Sequence, residues 1–373
     1  MNDDDREAND LIEPIDLLDS DIKDDIHSEL VEDVYSENLE PSWFRCREDV
    51  LDVESITVTS MEELEKLRGY RRITGEVTIG DRNQSFASLD ELRCLREVKS
   101  LDISSFVVDM SGISGLTRIF GKEGALSIMA GFSQVPEFEH LVEVHTIDIV
   151  IGPVPTGTLK EIRGFNALSR VGELIIVNQS YSTEPAIELV SISGFNNLEE
   201  VVGNIFIDGL SSMDGESKLK SISGFESLRS AGGLGLDKLN GTRIDAFKNL
   251  ETLGALGISD SSFTTEGAFE RLHTIKGVFN FERNRVKSMD EFAALKSVAS
   301  IGVPYISISY NPELEDIKGL FNIKEAGFDE IYITDNPKLP TCQVEKFIEH
   351  LRSLGWAGKA YIDGNDDQAT CDP

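Results

Sequence analysis

A short apolar-x-apolar element returns thirteen times along this chain at intervals of 21 to 31 residues, and no other feature restricts its fold so tightly. The paired positions begin with Ile56/Val58, Val77/Ile79, Leu101/Ile103 and Leu126/Ile128. They continue through Ile147/Ile149, Leu174/Ile176, Ile205/Ile207, Leu234/Leu236 and Leu256/Ile258, and end with Phe279/Phe281, Ile306/Ile308, Ile331/Ile333 and Ala360/Ile362. Alternation with a period of two marks each as a strand with one buried face. Between several of them runs a second pattern, Ile-x-Gly-Phe-x-x-Leu, at 162–168, 192–198 and 222–228, with weaker copies at 244–250 and 317–323. A coil with four apolar residues pointing one way buries nothing alone, whereas stacked coils share one continuous core. The pattern predicts a mainly β fold, a parallel β-solenoid of about thirteen coils.

Turn chemistry agrees. Asn284, Asn311, Asn336 and Asn365 each stand three residues after the second strand position, twice as Asn-Pro. A side-chain amide satisfies backbone groups at a tight corner, and the same residue in successive coils stacks into a ladder, so these asparagines are read as structural. The last unit departs from the repeat: Thr341 to Trp356 reads as a helix with Thr341 as N-cap and Phe347, Leu351 and Leu354 on its apolar side, a C-terminal cap.

Charge divides the chain. The formal net charge is -32, from 67 acidic and 35 basic residues, which excludes a surface that holds a polyphosphate backbone. Residues 1–44 carry 16 acidic and 2 basic residues, a net of -14 (2 − 16), leaving -18 for 45–373. The domain organisation read from this is an acidic N-terminal tail, 1–44, followed by the solenoid, 45–373. Within the tail Ile15, Leu18, Ile22, Ile26 and Leu30 recur at helical steps behind Pro14. Repulsion among the carboxylates favours a disordered tail; docking would make the segment a capping helix or a partner-binding one. No apolar run approaches the roughly 18 residues of a membrane helix, and the N-terminus shows no export signal. Cys46, Cys94, Cys342 and Cys371 form no C-x-x-C pair and sit near the two ends of the repeat, where staples belong. Pairing Cys342 with Cys371 would clip the last coil; buried free thiols are the alternative.

With Leu198-x-x-Val201-x-Gly203-x-Ile205-x-Ile207 and its copies, and Asn-Pro-Lys-Leu-Pro-Thr-Cys at 336–342, the chain resembles the receptor L-domain family. That family is a leucine-rich-repeat-like, right-handed β-solenoid found in receptor ectodomains and in fungal and bacterial surface proteins. The resemblance spans roughly Cys46 to Pro373, fits the bacterial or fungal surface type best, and implies ligand binding without catalysis.

No constellation of catalytic residues competes with that implication. The five histidines give no His-Glu-x-x-His, the cysteines lack zinc spacing, and there is no Walker loop or Gly-x-Ser-x-Gly. Asp363-x-Asn365-x-Asp367 begins like a calcium loop, but Gln368 replaces the required glycine, and neither a metal nor a cofactor is expected. Outward positions by the period of two include Asp102, Asp148, Asp208, Asp237, Glu282 and Asp363, ordinarily a solvated face, with calcium binding or an acid–base pair as the alternatives. The same face carries Phe206, Tyr310, Tyr332 and Tyr361, rigid aromatics of the kind that anchor interfaces and sugars. Asparagine acceptor motifs at Asn83, Asn178 and Asn240 occur about as often as composition alone gives.

The function expected is non-catalytic recognition of a protein or carbohydrate ligand at a cell surface, with Phe206, Asp208, Asp237, Glu282, Tyr310, Tyr332 and Tyr361 as candidate contacts. A polysaccharide-active β-helix enzyme and an intracellular, cytoplasmic scaffold are the alternatives. An uncapped solenoid end would allow self-association.

Overall fold

The structure, a computed structural model, describes residues 45–81, 84–130, 135–151, 159–178, 189–209, 217–298 and 305–371. The acidic segment 1–44 and Asn83 lie outside the described residues, and a compact unit begins at Cys46. Each apolar-x-apolar element lies on a strand, apart from Ile362, one residue past the last: β1 Ser55–Val58, β2 Arg72–Ile79, β3 Glu97–Ile103, β4 Ala125–Ala130, β5 Thr146–Ile151, β6 Glu173–Asn178 and β7 Glu200–Asp208. The series goes on with β8 Ser230–Asp237, β9 Thr252–Ser259, β10 Phe279–Glu282, β11 Tyr305–Ser309, β12 Glu330–Thr334 and β13 Lys359–Tyr361. Every strand pairs with the next in parallel, as it must when the connection is one full turn of the coil. The register places Ile56 opposite Val77, Val77 opposite Leu101, Leu101 opposite Leu126, and so on to Ile331 opposite Ala360. Side chains of this column are buried, apart from the partly covered Ile56 and Ala360 at the two ends.

The Ile-x-Gly-Phe-x-x-Leu pattern builds another side of each coil. Ile162, Ile192, Ile222 and Ile244 stack in register through short parallel strands. Their phenylalanines form a spine, with Phe165, Phe195, Phe225 and Phe247 at centroid spacings of 5.0, 4.9 and 5.0 Å. Contacts of this kind contribute about 0.5–1.5 kcal/mol each beyond the area they bury. The preceding glycine is needed twice over: Gly194 has φ +86°, and a Cβ there would lie 2.3 Å from the Gly164 amide nitrogen. Where Ala246 replaces glycine, the left-handed conformation passes to Phe247 (φ 62°). The spine extends beyond the motif to Phe138 on one side and to Phe269 and Phe292 on the other.

Behind the strands the asparagines form their ladder. The Asn311 Oδ1 accepts the Asn284 N–H (2.8 Å), and its Nδ2 donates to the Phe281 carbonyl (3.0 Å) and to the Asn336 Oδ1 (2.9 Å). Asn336 repeats this with Asn311 above it and Asn365 below, and Asn284, Asn311 and Asn336 are fully buried. Buried corner groups are thus satisfied by one amide per coil.

Thirteen strands enclose twelve intervals, and the first and last hold helices, α1 (Met61–Glu65) and α2 (Thr341–Ser353). About ten closed turns remain where thirteen coils were expected, because end pieces count as strands but not as turns. α2 is the terminal cap, burying Val344, Phe347, Ile348 and Leu351. Its N-cap is Pro340 rather than Thr341, whose hydroxyl donates instead to Asp367 (2.6 Å). Cys342 is bonded to Cys371 and Cys46 to Cys94, one disulfide at each end of the repeat. Replacing Asn311 by Ala would orphan the Asn284 N–H and the Phe281 carbonyl. Unmet buried groups cost about 1–3 kcal/mol each, so N311A should lose roughly 3 kcal/mol in a urea melt with little change in m-value.

Candidate recognition face

On every rung the residue between the two apolar positions, and the one after the second, point away from the core, so parallel register collects them into columns on the outer face of the sheet. Three segments of that face differ in chemistry.

Over β3–β5, Asp102, Ser127 and Asp148 stand in register beside a concavity of about 220 Å³ that also touches Ser104, Met129 and Val150. Partial burial, then the Asp102 and Glu173 charges, pushes the Asp148 carboxyl up. Its Oδ1 is buried without a hydrogen-bond partner.

Over β7–β10 the face is flat. Phe206 lies across Gly235, where a Cβ would meet the ring at 2.5 Å, and Gly257 beyond it has nothing within 4 Å. The neighbouring carboxylates are engaged by their own chain. The Lys238 ammonium is 2.8 Å from Asp237 and 3.4 Å from Asp208. Partial burial pulls that ammonium down, but the hydrogen bond to Asp237 and the Asp208 charge outweigh it and hold Lys238 above its ordinary range. Glu282 accepts the Ser307 hydroxyl (2.7 Å) and lies 3.4 Å from Arg283, which also clamps Asp260 through two 2.7 Å contacts. Phe206, Asp208, Asp237 and Glu282 are therefore outward, but the three acids carry internal partners.

Over β11–β13 the face is aromatic. Tyr332 and Tyr361, opposite each other in the register, stack at 4.6 Å with ring planes 5° apart, and Tyr305 meets Tyr332 edge-on at 6.3 Å. The Tyr332 hydroxyl donates to the Glu330 carboxylate. Tyr310 is not on the strand face, contrary to expectation. It occupies the corner just past β11 with φ 60° and is 57% exposed. Lys238, Asp260, Arg283 and Asp335 hold the same left-handed position in their coils. The Tyr310 N–H donates to the Thr334 carbonyl (3.0 Å) and the Asp335 N–H to the Asp363 carbonyl (2.8 Å), so the ladder turns this corner intact. A non-glycine residue there costs about 1 kcal/mol, and nothing in the packing calls for an exposed tyrosine.

Tyr305 and Glu330 escape a reading confined to the apolar pair and its two followers. They were within reach, since each lies two residues before an outward position, Ser307 and Tyr332, and so on the same face. Asp363, Asn365 and Asp367, the calcium-like fragment, are used structurally through a carbonyl, the asparagine ladder and the Thr341 hydroxyl. Among the described residues no group of three or more His, Cys, Asp or Glu is placed to hold a metal, and no helix is long and apolar enough to cross a membrane.

No protein-family model matches the chain, and no curated protein matches it. Among solved structures, an internalin (inlF) from Listeria monocytogenes aligns with a TM-score of 0.42 and 14% identity, over 85% of this chain and 82% of that one. So distant a likeness identifies no ligand.

The hydrogen bond to Glu330, with partial burial and the Glu330 charge behind it, pushes the Tyr332 phenol up from 10.0 to about 12. A raised pKa favours the protonated form in the fold, so this contribution is intact below pH 10 and is lost as pH rises through about 12. Ultraviolet titration should resolve one late tyrosine, and Glu330→Gln should bring it back toward 10.

Proposed function

We propose that the protein is a non-catalytic recognition module that binds its ligand on the outer strand face of β11–β13, with Tyr310 at the rim. One observation carries this: three tyrosines are grouped in contact on an exposed sheet surface, where they add no core burial. Rigid aromatics presented this way supply contact area at low entropic cost and dominate interface energetics. The resemblance to receptor L domains points the same way. A disulfide at each end of the repeat supports an extracellular or cell-surface setting, since such bonds are rare in reducing compartments. The scaffold alternative predicts free thiols in protein taken from its native host.

A polysaccharide-active enzyme has one observation in its favour, the Asp102 and Asp148 carboxylates two rungs apart, about 10 Å along the ladder. That separation is at the upper limit for an inverting acid–base pair. Hydrolysis of a glycan panel that disappears in Asp148→Asn would favour this alternative.

For recognition the test is an array of extracellular proteins and glycans, probed with wild type and with a Tyr310→Ala, Tyr332→Ser, Tyr361→Ser variant. Losing hot-spot residues worth about 2 kcal/mol each weakens binding at least 30-fold, while the melting temperature moves by only a few degrees. Binding that the triple variant retains, or no array binding at all, contradicts the proposal.

A further inference from the structure

The chemistry around the tyrosines restricts what they can bind. Three hydroxyl donors on this face are engaged internally: Ser307 on Glu282, Thr334 on Ser309 (3.1 Å), and the Tyr332 phenol on Glu330. What remains toward solvent includes the other phenols and uncompensated negative charge. Glu330 stands opposite Lys359 in the register, which offsets that one carboxylate. Asp335 and Asp363, exposed at the adjoining corner beside Tyr310, have no ion pair among the described residues. This differs from the coils before them, where Lys238 answers Asp208 and Asp237, and Arg283 answers Asp260. Stacked rings offer one more feature. Among the described residues no strand pairs beyond β13, and Tyr361 stacks on Tyr332 through one ring face.

Aromatic faces next to uncompensated carboxylates attract cations. We propose, resting on the recognition reading above, that the β11–β13 face binds lysine or arginine side chains of a basic protein segment, through Tyr310, Tyr332 and Tyr361 with Asp335 and Asp363. The net charge of -32 steers such a partner toward the molecule, and the tyrosines give the docking its address.

The experiment uses the full chain and three probes: a fluorescent 12-residue peptide alternating Lys and Ser, the same peptide with every lysine acetylated, and chitohexaose. Expected is saturable binding of the basic peptide, at least 10-fold weaker on acetylation. The charge-neutral Tyr332→Ser/Tyr361→Ser and the ring-preserving Asp335→Asn/Asp363→Asn variants should each weaken it at least 10-fold, with melting temperatures held near wild type. Basic-peptide binding that the tyrosine variant leaves unchanged would show attraction to bulk charge alone and overturn the proposal. Chitohexaose binding lost in the tyrosine variant, without basic-peptide binding, would overturn the cation assignment and leave the recognition reading standing. If no probe binds and the wild type is also silent on the array, both readings fall.

Discussion

Each coil of this protein buries its apolar residues only against the coils before and after it, so every side chain and every backbone group must find its partner at the same place one turn away. That requirement turns sequence positions into columns. It explains why Leu101, Leu126 and Ile147 lie on one line, why phenylalanine follows phenylalanine at about 5 Å, and why the interior corner is filled by an amide that donates to and accepts from the coil before it and donates to the asparagine of the next. An asparagine suits the corner because it carries both donor and acceptor on a short side chain; leucine would leave the same backbone groups unmet.

The same rule governs charge in a chain rich in acid. Like charges one rung apart repel at about 4.8 Å, so an acidic column needs interleaved cations. Arg72, Glu97, Arg118 and Glu143 alternate down one such column, with contacts of 2.7 to 3.7 Å. Exposed pairs of this kind stabilise by only about 0.2–1 kcal/mol each, so their main effect is to let the register persist. At the last coils this neutralisation is partial: Glu330 faces Lys359, while Asp335 and Asp363 have no ion pair among the described residues and lie beside the rings.

Periodicity made most of the fold legible, since strand position, coil side and ladder asparagines are all set by local spacing. Phe138, Phe269 and Phe292 were harder to place because no Gly precedes them, and their corners are closed by other backbone shapes. Tyr310 was read as a strand residue because the period of two does not announce where a strand gives way to a left-handed corner; the Asn that follows it was the available signal. Thr341 was read as an N-cap from residue type alone, whereas its hydroxyl is taken by Asp367 in the next turn of chain. Which outward acids are neutralised also depends on Lys238 and Arg283, whose side-chain directions no spacing rule gives.

Amide hydrogen exchange on the full chain reads directly whether the coils form a single in-register stack closed by corner amides. Protected segments should return at the coil spacing from Arg72 to Thr334, with the Asn284 and Asn311 amides among the slowest because each donates to the next asparagine in the ladder. Protection without that spacing, or Asn284 and Asn311 amides exchanging as fast as exposed loops, would contradict it.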